Sequence, residues 1–310
     1  MYDDEDVKVE KTINYWEKEI TPVPQFSPEI TLLKIHYTKE EEKIMDIFRA
    51  VFLSKEISLR VYNLTTEVIS LFPANYCAWV LRRECLDKVK EIKPEDELNW
   101  LDSFIESNQK NYQIWHHRKL LIEKYNDFSR EKKVLDKIFE SEPKNFHAWS
   151  HRIWMIRRFD NTEGEFDFIE RMLKDDIKNN SVWNYRFFLV LYMNGNKLEK
   201  DIIEKEIKYA LDKIKECPKN ESPYSYIRGF LTKFNYKYSD FSFIKEFLEN
   251  LLQEKDEDNS YRLNLLLDIY EEEKNEDKFN EIIEKLKTID YIRKKYYGCR
   301  KENSIFKENK

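Results

Sequence analysis

An internal repeat constrains the fold of this 310-residue chain more than any other feature. The string "KNYQIWHHRKLL" at 110–121 returns as "KNFHAWSHRIWM" at 144–155. An asparagine recurs at intervals of 36, 34, 34 and 41 residues, and an aromatic residue follows it by four positions. These pairs are Asn75 and Trp79, Asn111 and Trp115, Asn145 and Trp149, Asn179 and Trp183, and Asn220 and Tyr224. A period of about 20 to 50 residues is typical of proteins that stack one supersecondary unit many times.

The spacing inside each unit predicts an amphipathic helix. Three positions after the aromatic residue an arginine recurs, as Arg82, Arg118, Arg152 and Arg186, with Ile227 in the fifth unit. Offsets of +4, +7 and +11 from the asparagine fall on one stripe of an α-helix, so we expect the asparagine to be the N-cap. A second apolar-periodic segment precedes each cap, for example Val134, Leu135, Ile138 and Phe139. Each unit is therefore predicted to be a helical hairpin.

Hairpins of this size cannot bury both faces alone, so we predict an all-α fold, a right-handed α-α superhelix of stacked hairpins. The four tryptophans are then expected in the core between hairpins. The sequence predicts one solenoid domain over 15–297 with at least five repeats, a flexible segment over 1–14 and a polar tail over 298–310. The segment 256–297 reads as further helices that have lost the cap and the tryptophan.

Composition excludes several classes of function. The formal charge is −6 and the pI is about 5.7, so no overall basic field favours nucleic acid. No apolar run is long enough to span a membrane, and the acidic start is unlike a signal peptide, which predicts a cytoplasmic protein. The cysteines, Cys77, Cys85, Cys217 and Cys299, show no metal or disulfide spacing, and we expect them reduced and mostly buried.

The arginine column has two interpretations. Each arginine pairs with a carboxylate on the adjacent hairpin and holds the stack in register, or the column faces a groove and binds an anion. Positions that vary between units are better candidates for a site, and near the caps these are Tyr76, Tyr112 and Phe146, then Gln113 and His147. Lysine precedes four of the caps, at Lys110, Lys144, Lys178 and Lys219. Helix N-termini aligned along one edge suit an anionic ligand.

No motif for metal, nucleotide or nucleophilic chemistry is complete. His147 and His151 have the helical zinc spacing, but Ala148 stands where a zinc protease has its glutamate, and no third ligand is evident. We therefore expect no metal site in this chain. From its motifs alone the chain reads as a scaffold.

The repeat N-x-x-x-W-x-x-R resembles that of protein prenyltransferase α subunits. "PVPQF" at 22–26, "IFRAVF" at 47–52, "KNYQIWHHRK", "NNSVWNYRFF" and "NESPYSYIRGF" resemble the α subunit shared by farnesyltransferase and type I geranylgeranyltransferase, over about 15–297. The resemblance implies a heterodimer with a β subunit that carries the catalytic zinc and the lipid pocket, with magnesium possible beside the diphosphate. Such an enzyme transfers a farnesyl or geranylgeranyl group from its diphosphate to the cysteine of a C-terminal CaaX motif.

The resemblance also implies roles for individual residues. Lys110 matches the catalytic lysine that reaches the diphosphate, and Tyr112 and His147 match residues lining the same region. Gln113 matches the residue that bonds the carboxylate of the CaaX peptide, and Tyr76 matches one beside the last side chain of the peptide. Phe146 departs from the pattern, because relatives carry there a tyrosine that bonds the diphosphate.

Two other functions remain open on the sequence. The α subunit of Rab geranylgeranyltransferase shares the repeat and uses an escort protein rather than CaaX recognition, although "PVPQF" and "NNSVWNYR" argue against it. A non-enzymatic helical scaffold that binds peptides would fit the composition alone.

Overall fold

The computed structural model of the chain describes residues 11–25, 35–252 and 258–306, and in these the regular structure is helical, without strands. The chain divides into two compact units, Met1–Phe159 and Asp160–Lys310. Phe26, most of the predicted flexible segment 1–14 and the last four residues of the predicted polar tail lie outside the described residues. None of the described helices combines the length and the apolar character needed to cross a membrane.

In the first unit, hairpins follow an initial pair of helices. The helices are α1 (11–16), α2 (Lys39–Ser54), α3 (Leu59–Leu71), α4 (Tyr76–Lys88), α5 (Pro94–Ser107), α6 (Tyr112–Tyr125), α7 (Glu131–Ser141) and α8 (Phe146–Phe159). The pairs α3–α4, α5–α6 and α7–α8 form hairpins, and the second helices α4, α6 and α8 lie side by side. Their N-termini consequently meet at one edge of the unit.

The second unit continues the pattern. Its helices are α9 (Glu165–Asp175), α10 (Asn180–Met193), α11 (Lys200–Glu216), α12 (Glu221–Phe234), α13 (Phe243–Leu252), α14 (Ser260–Glu272), α15 (Glu276–Ile289) and α16 (Lys294–Glu302). Two 3-10 turns, Tyr238–Phe241 and Tyr291–Arg293, precede α13 and α16. In this unit α10, α12 and α14 are the second helices of their hairpins, and they lie side by side.

Each second helix is capped by the repeated asparagine. The side-chain oxygens accept the backbone N–H of Ala78, Gln113, Ala148, Ser181 and Ser222 at 2.8–3.1 Å. A further asparagine, Asn259, caps α14 through the N–H groups of Tyr261 and Arg262. The expectation that 256–297 had lost its cap was therefore wrong. The sequence conceals this unit because Leu263, which is fully buried, replaces the aromatic residue.

The carbonyl two residues before each cap explains why both asparagine and tryptophan recur. It accepts the ring N–H or hydroxyl of the aromatic residue in its own unit, as in Trp115 Nε1 to Gln109 O and Trp183 Nε1 to Ile177 O at 2.8 and 2.9 Å. It also accepts the amide of the next cap, as in Asn220 Nδ2 to Ile177 O at 2.8 Å and Asn259 Nδ2 to Pro218 O at 2.6 Å. An amide side chain can accept with its oxygen and donate with its nitrogen at the same time, whereas the carboxylate of aspartate can only accept.

The arginine column fills the seams between hairpins. Arg82 holds Glu97 of the next hairpin through two hydrogen bonds of 2.7 Å. The equivalent pairs are Arg118 with Glu131, at 2.9 and 2.6 Å, and Arg186 with Glu206, at 2.8 and 3.1 Å. These guanidinium groups are buried, so they do not face a groove. The interpretation as register-holding pairs is confirmed for these three arginines, and the interpretation as an exposed anion-binding column is wrong.

A third side chain completes each of these seams. His117 Nε2 and His151 Nε2 lie 2.7 and 2.6 Å from Glu97 and Glu131, and in the second unit the Tyr226 hydroxyl donates to Glu206 at 2.6 Å. Burial opposes ionisation of Glu97 and Glu131, but the histidine and arginine hydrogen bonds outweigh it and lower the pKa of each glutamate to about 2. Both histidines are buried, and burial lowers their pKa, so they are neutral donors at pH 7.

We expect the stability of the protein to fall as the pH drops from 7 to 5. The two histidines have a lowered pKa when folded, so the unfolded chain binds more protons below its own pKa of about 6.5, at up to about 1.4 kcal/mol per histidine for each pH unit. The two glutamates contribute to this loss only below about pH 4.5, because their folded pKa is lowered from 4.5. Urea unfolding at pH 7.5 and 5.5 measures the effect. The double variant His117→Gln/His151→Gln, which keeps a donor at each site, should show a smaller difference between these two pH values.

The four tryptophans are buried, with at most 7% of their surface exposed. Trp79 packs at ring-centroid distances of 5.9 Å from Trp100 on α5 and 5.0 Å from His117 on α6. Trp183 likewise packs at 5.9 Å from Tyr209 on α11. Each of these two indole rings therefore fills the space between its own hairpin and the next one.

The cysteines differ from the sequence-based expectation. They are free thiols, but only Cys85 is buried; Cys217 is half-buried, and Cys77 and Cys299 are exposed. Cys77 is exposed because it lies in the open first turn of α4. The expectation that the thiols are mostly buried was wrong.

Candidate functional site

The N-terminal edge of α4, α6 and α8 presents an open row of aromatic side chains. Tyr76, Tyr112 and Phe146 are the first residues of these helices, and 67–68% of the surface of each is exposed. The cap geometry fixes this position, because the residue after an N-cap projects from the first turn rather than into the core. The row places apolar surface beside the free N–H groups of three helices.

Three of the predicted site residues come together at this edge. The His147 ring meets the Tyr112 ring edge-on with centroids 4.4 Å apart, and it stacks near Trp115 at 6.4 Å. His147 also forms a hydrogen bond to the backbone of Lys110. The site therefore joins α8 to the cap segment of α6 and fixes where the Lys110 side chain begins.

The Lys110 ammonium lies 2.9 Å from Glu142 Oε1, with 76% of its side chain exposed. The hydrogen bond from Lys110 holds the pKa of Glu142 below its usual value. Glu142 also accepts from Asn145 Nδ2 at 3.1 Å, so the cap of α8 positions this carboxylate. Sequence reasoning missed Glu142. One feature of the sequence could have indicated it: Glu142 lies three residues before the Asn145 cap, and at the same position the second unit carries Asn108.

Gln113 and Tyr76 lie on the same edge but are not part of the group formed by Lys110, Tyr112 and His147. The Gln113 backbone N–H donates to the cap Asn111, while its side chain is half-buried in the first turn of α6. Tyr76 stands in the equivalent turn of the neighbouring helix α4. Both side chains lie along the edge, and neither contributes to the Lys110 group.

Burial lowers the pKa of His147, although Glu142 and the backbone of Lys110 oppose this effect. The imidazole ring of His147 is therefore neutral at pH 7, and it packs between α8 and α6. The edge offers the exposed Lys110 ammonium, aromatic faces and helix N–H groups, a set that suits an anionic group attached to an apolar one.

The positions of His147 and His151 bear on the prediction that this chain has no metal site. His151 is buried and bonded to Glu131, so it cannot turn toward His147 to share an ion. Over the described ranges, no three histidine, cysteine, aspartate or glutamate side chains are grouped to hold a metal ion. The residues of this edge do not fit zinc.

Known proteins match both the repeat and the whole chain. A family model described as "Protein prenyltransferase alpha subunit repeat" matches residues 59–89, 94–125, 128–159 and 162–193, which are four of the hairpins. The protein farnesyltransferase/geranylgeranyltransferase type-1 subunit alpha of Dictyostelium discoideum is 35% identical over 300 residues, covering 93% of this chain and 91% of that protein.

Other matches are more local or concern a solved structure. The Schizosaccharomyces pombe protein of the same name is 42% identical over 112 residues, which are 36% of this chain and 38% of that protein. The Candida albicans protein of that name aligns over 34% of its length. The structure of Candida albicans protein geranylgeranyltransferase-I complexed with GGPP has a chain with a TM-score of 0.82 at 30% identity, covering 92% of this chain and 97% of that one.

Proposed function

Since this chain belongs to the family of protein farnesyltransferase/geranylgeranyltransferase type-1 α subunits, we propose that it is the α subunit of such an enzyme. The heterodimer transfers a farnesyl or geranylgeranyl group from its diphosphate to the cysteine of a C-terminal CaaX motif. The similarity over nearly the whole length of the Dictyostelium protein carries this proposal. The structural likeness to a chain of a geranylgeranyltransferase-I supports it.

Lys110 is the catalytic residue that this chain supplies. Negative charge grows on the departing diphosphate as the bond between the prenyl carbon and oxygen breaks, and a placed cation lowers that barrier. Lys110 reaches out from the cap of α6 on a largely exposed side chain, where the N–H groups of the helix add to its field. It can therefore meet a phosphate at a boundary with a second chain.

The neighbouring residues position the substrates. The family resemblance assigns Tyr112 and His147 to the diphosphate region. Their contacts support this assignment, because His147 bonds to the backbone of Lys110 and Tyr112 packs on the His147 ring. Gln113 is assigned to the carboxylate of the CaaX peptide, since its amide can donate from the first turn of α6. Tyr76, on the next helix, is assigned to the last side chain of that peptide.

The partner β subunit supplies what this chain lacks. It carries the catalytic zinc, which activates the cysteine thiol when bound, together with the lipid pocket, and magnesium accompanies the diphosphate. The enzyme works in the cytoplasm. A Rab geranylgeranyltransferase α subunit and a non-enzymatic scaffold are the competing functions. The relatives named above favour the CaaX enzyme over both.

Co-expression with candidate β chains tests the proposed function. We expect a stable one-to-one heterodimer that transfers a prenyl group to a CaaX peptide, without an escort protein, and an inactive α chain alone. A heterodimer that modifies only Rab proteins with their escort would support the first competitor. A chain that binds no β subunit and supports no transfer would be the scaffold, and the proposal would fail.

We expect Glu142→Gln to lower the KM for the prenyl diphosphate by about two- to tenfold. The substitution removes the ion pair that holds Lys110 and one negative charge beside the incoming diphosphate, while glutamine can still accept from Asn145. Steady-state kinetics of the heterodimer with varied prenyl diphosphate measures this effect. The control is Glu204→Gln, because Glu204 pairs with Lys208 one helical turn away on α11 and not with a lysine of this edge. A raised KM in Glu142→Gln would show that the pair holds Lys110 in its productive position.

We expect Phe146→Tyr to preserve or raise the transfer rate. The ring is 67% exposed, so a hydroxyl group can be added without repacking, and it restores a donor at the open edge. Single-turnover transfer by the heterodimer is the measurement. A marked loss would mean that the partner or the substrate packs closely on the phenyl ring, which would contradict an open position.

A further inference from the structure

An exposed stretch of apolar and basic residues follows α15 in the second unit. The residues are "YIRKKY" at 291–296, which form the second 3-10 turn and the start of α16, and all six are exposed. Tyr291, Ile292 and Tyr296 expose 74%, 87% and 54% of their surface. Among the described residues, no other large apolar side chain is as exposed as Ile292. These six residues are called the aromatic-basic segment.

The aromatic-basic segment is presented by a packed helix. Tyr297, the next residue, is buried, and its hydroxyl donates to Asp290 Oδ2 at 2.8 Å. Further along α16, the Arg300 guanidinium donates to Asp268 on α14 at 2.5 Å. These contacts hold one side of α16 against the second unit. The exposed side chains therefore lie on ordered backbone, where they can act together on one surface.

The positive charge of the aromatic-basic segment is only partly neutralised. Arg293 pairs with Asp290 at 2.8 Å, and the charge of Glu221 also acts on it, yet 57% of its side chain remains exposed. Lys294 and Lys295 form no ion pair with the residues that the structure describes. The segment itself contains no acidic residue. An extended anionic surface is the complement that this segment lacks.

The side chains of the segment fit a bilayer better than a protein or a free anion. Lysine is depleted in protein interfaces, whereas tyrosine and lysine together are typical of segments that lie in the headgroup region of a membrane. There a tyrosine ring spans the boundary between apolar and polar layers, and lysine reaches the headgroups. A free anion would pair with the lysines but leave Ile292 in water.

The net charge of −6 does not oppose this contact. At physiological salt, exposed charges act over a distance of about 8 Å, so a surface that reaches the aromatic-basic segment responds to its own three basic residues. Each lysine or arginine close to an anionic bilayer strengthens binding by about fivefold. Three such residues with exposed apolar neighbours give a weak and reversible attachment rather than a permanent anchor.

We propose that the aromatic-basic segment is a docking site for an anionic lipid bilayer, with its three apolar side chains entering the headgroup region and Lys294 and Lys295 contacting acidic headgroups. The inference goes beyond the proposed function, which gives the contact a use. A prenyl diphosphate and a prenylated protein both carry an apolar chain that partitions into membranes. An enzyme that touches the bilayer is close to the source of the one and the destination of the other.

Co-sedimentation of the full chain, alone and in the heterodimer, with phosphatidylcholine vesicles tests the proposal. We expect both to bind at least about tenfold more tightly when the vesicles also contain phosphatidylserine, because the basic residues add attraction only there. Added salt should remove most of this difference.

Variants of the segment locate the contact. Binding to the anionic vesicles should weaken about 25-fold in Lys294→Gln/Lys295→Gln, and about tenfold in Ile292→Ser, which removes apolar burial. The matched control is Lys205→Gln/Lys208→Gln on α11, which removes the same charge where each lysine already faces a carboxylate. It should stay within about twofold of wild type. Circular dichroism melting of each variant checks that its fold is retained.

The transfer rate in solution separates membrane docking from catalysis. Without vesicles, the heterodimer carrying Lys294→Gln/Lys295→Gln should transfer a prenyl group to a CaaX peptide at the wild-type rate. A slower transfer under these conditions would place the segment in the catalytic machinery and contradict the proposal.

The possible failures point to different causes. Equal binding of the wild type to both kinds of vesicle, or wild-type binding by the double lysine variant, would overturn the docking site. Vesicle binding by the free chain that is lost in the heterodimer, with weaker dimers in the variants, would overturn it in favour of a protein interface. A chain that binds anionic vesicles through this segment but supports no transfer would refute the proposed function alone.

Discussion

Lys110→Ala is expected to reduce the rate of prenyl transfer about 100-fold in an intact heterodimer. The ammonium is a positive charge at the open edge, and removing one stabilising group from a transition state typically costs about 10²–10³ in rate. Little packing is lost, since 76% of the side chain is exposed. Single-turnover transfer at saturating substrates isolates this effect from binding and assembly.

Two controls sharpen the Lys110 experiment. Lys110→Arg keeps the charge and should retain more activity than the alanine variant, although the wider guanidinium group alters the geometry. Lys133→Ala removes an exposed lysine from α7, away from the cap edge, and should leave transfer unchanged. Wild-type single-turnover transfer in Lys110→Ala would remove this lysine from the mechanism.

Trp149→Ala is expected to destabilise the protein by about 3–5 kcal/mol, a large share of a typical stability of roughly 5–15 kcal/mol. The ring is 93% buried, since 7% of its surface is exposed, and it packs on Phe139 at 4.4 Å. Its Nε1 donates to Pro143 O at 3.0 Å, so the substitution leaves both a cavity and a carbonyl without this donor. Chemical unfolding, followed by circular dichroism, measures the loss, which should also reduce the yield of heterodimer.

Leu53→Ala is the matched control, because it truncates a large apolar side chain that is 65% exposed on α2. Its unfolding midpoint should stay near that of wild type. A Trp149→Ala variant as stable as the Leu53→Ala control would show that this tryptophan does not contribute to the core.

The candidate site could be anticipated only in part. Lys110, Tyr112, Gln113, His147 and Tyr76 were singled out by their place near the caps together with the family resemblance. Their arrangement was not predictable, because the ion pair of Lys110 with Glu142 joins residues 32 positions apart in neighbouring hairpins.

The sequence by itself determined the hairpins, because their causes are local: apolar periodicity and an asparagine that caps the following helix. The sequence also shows that the cap is always an asparagine. The reason is a hydrogen bond to a carbonyl of the neighbouring unit, which only the structure reveals. The tertiary structure alone decided the partners of the arginines. Arg82, Arg118 and Arg186 reach glutamates 15, 13 and 20 residues away, because pairing depends on where the next hairpin lies and not on a fixed spacing. It also decided that His117 and His151 are neutral donors inside the seams, since burial and a neighbouring carboxylate are properties of packing rather than of spacing.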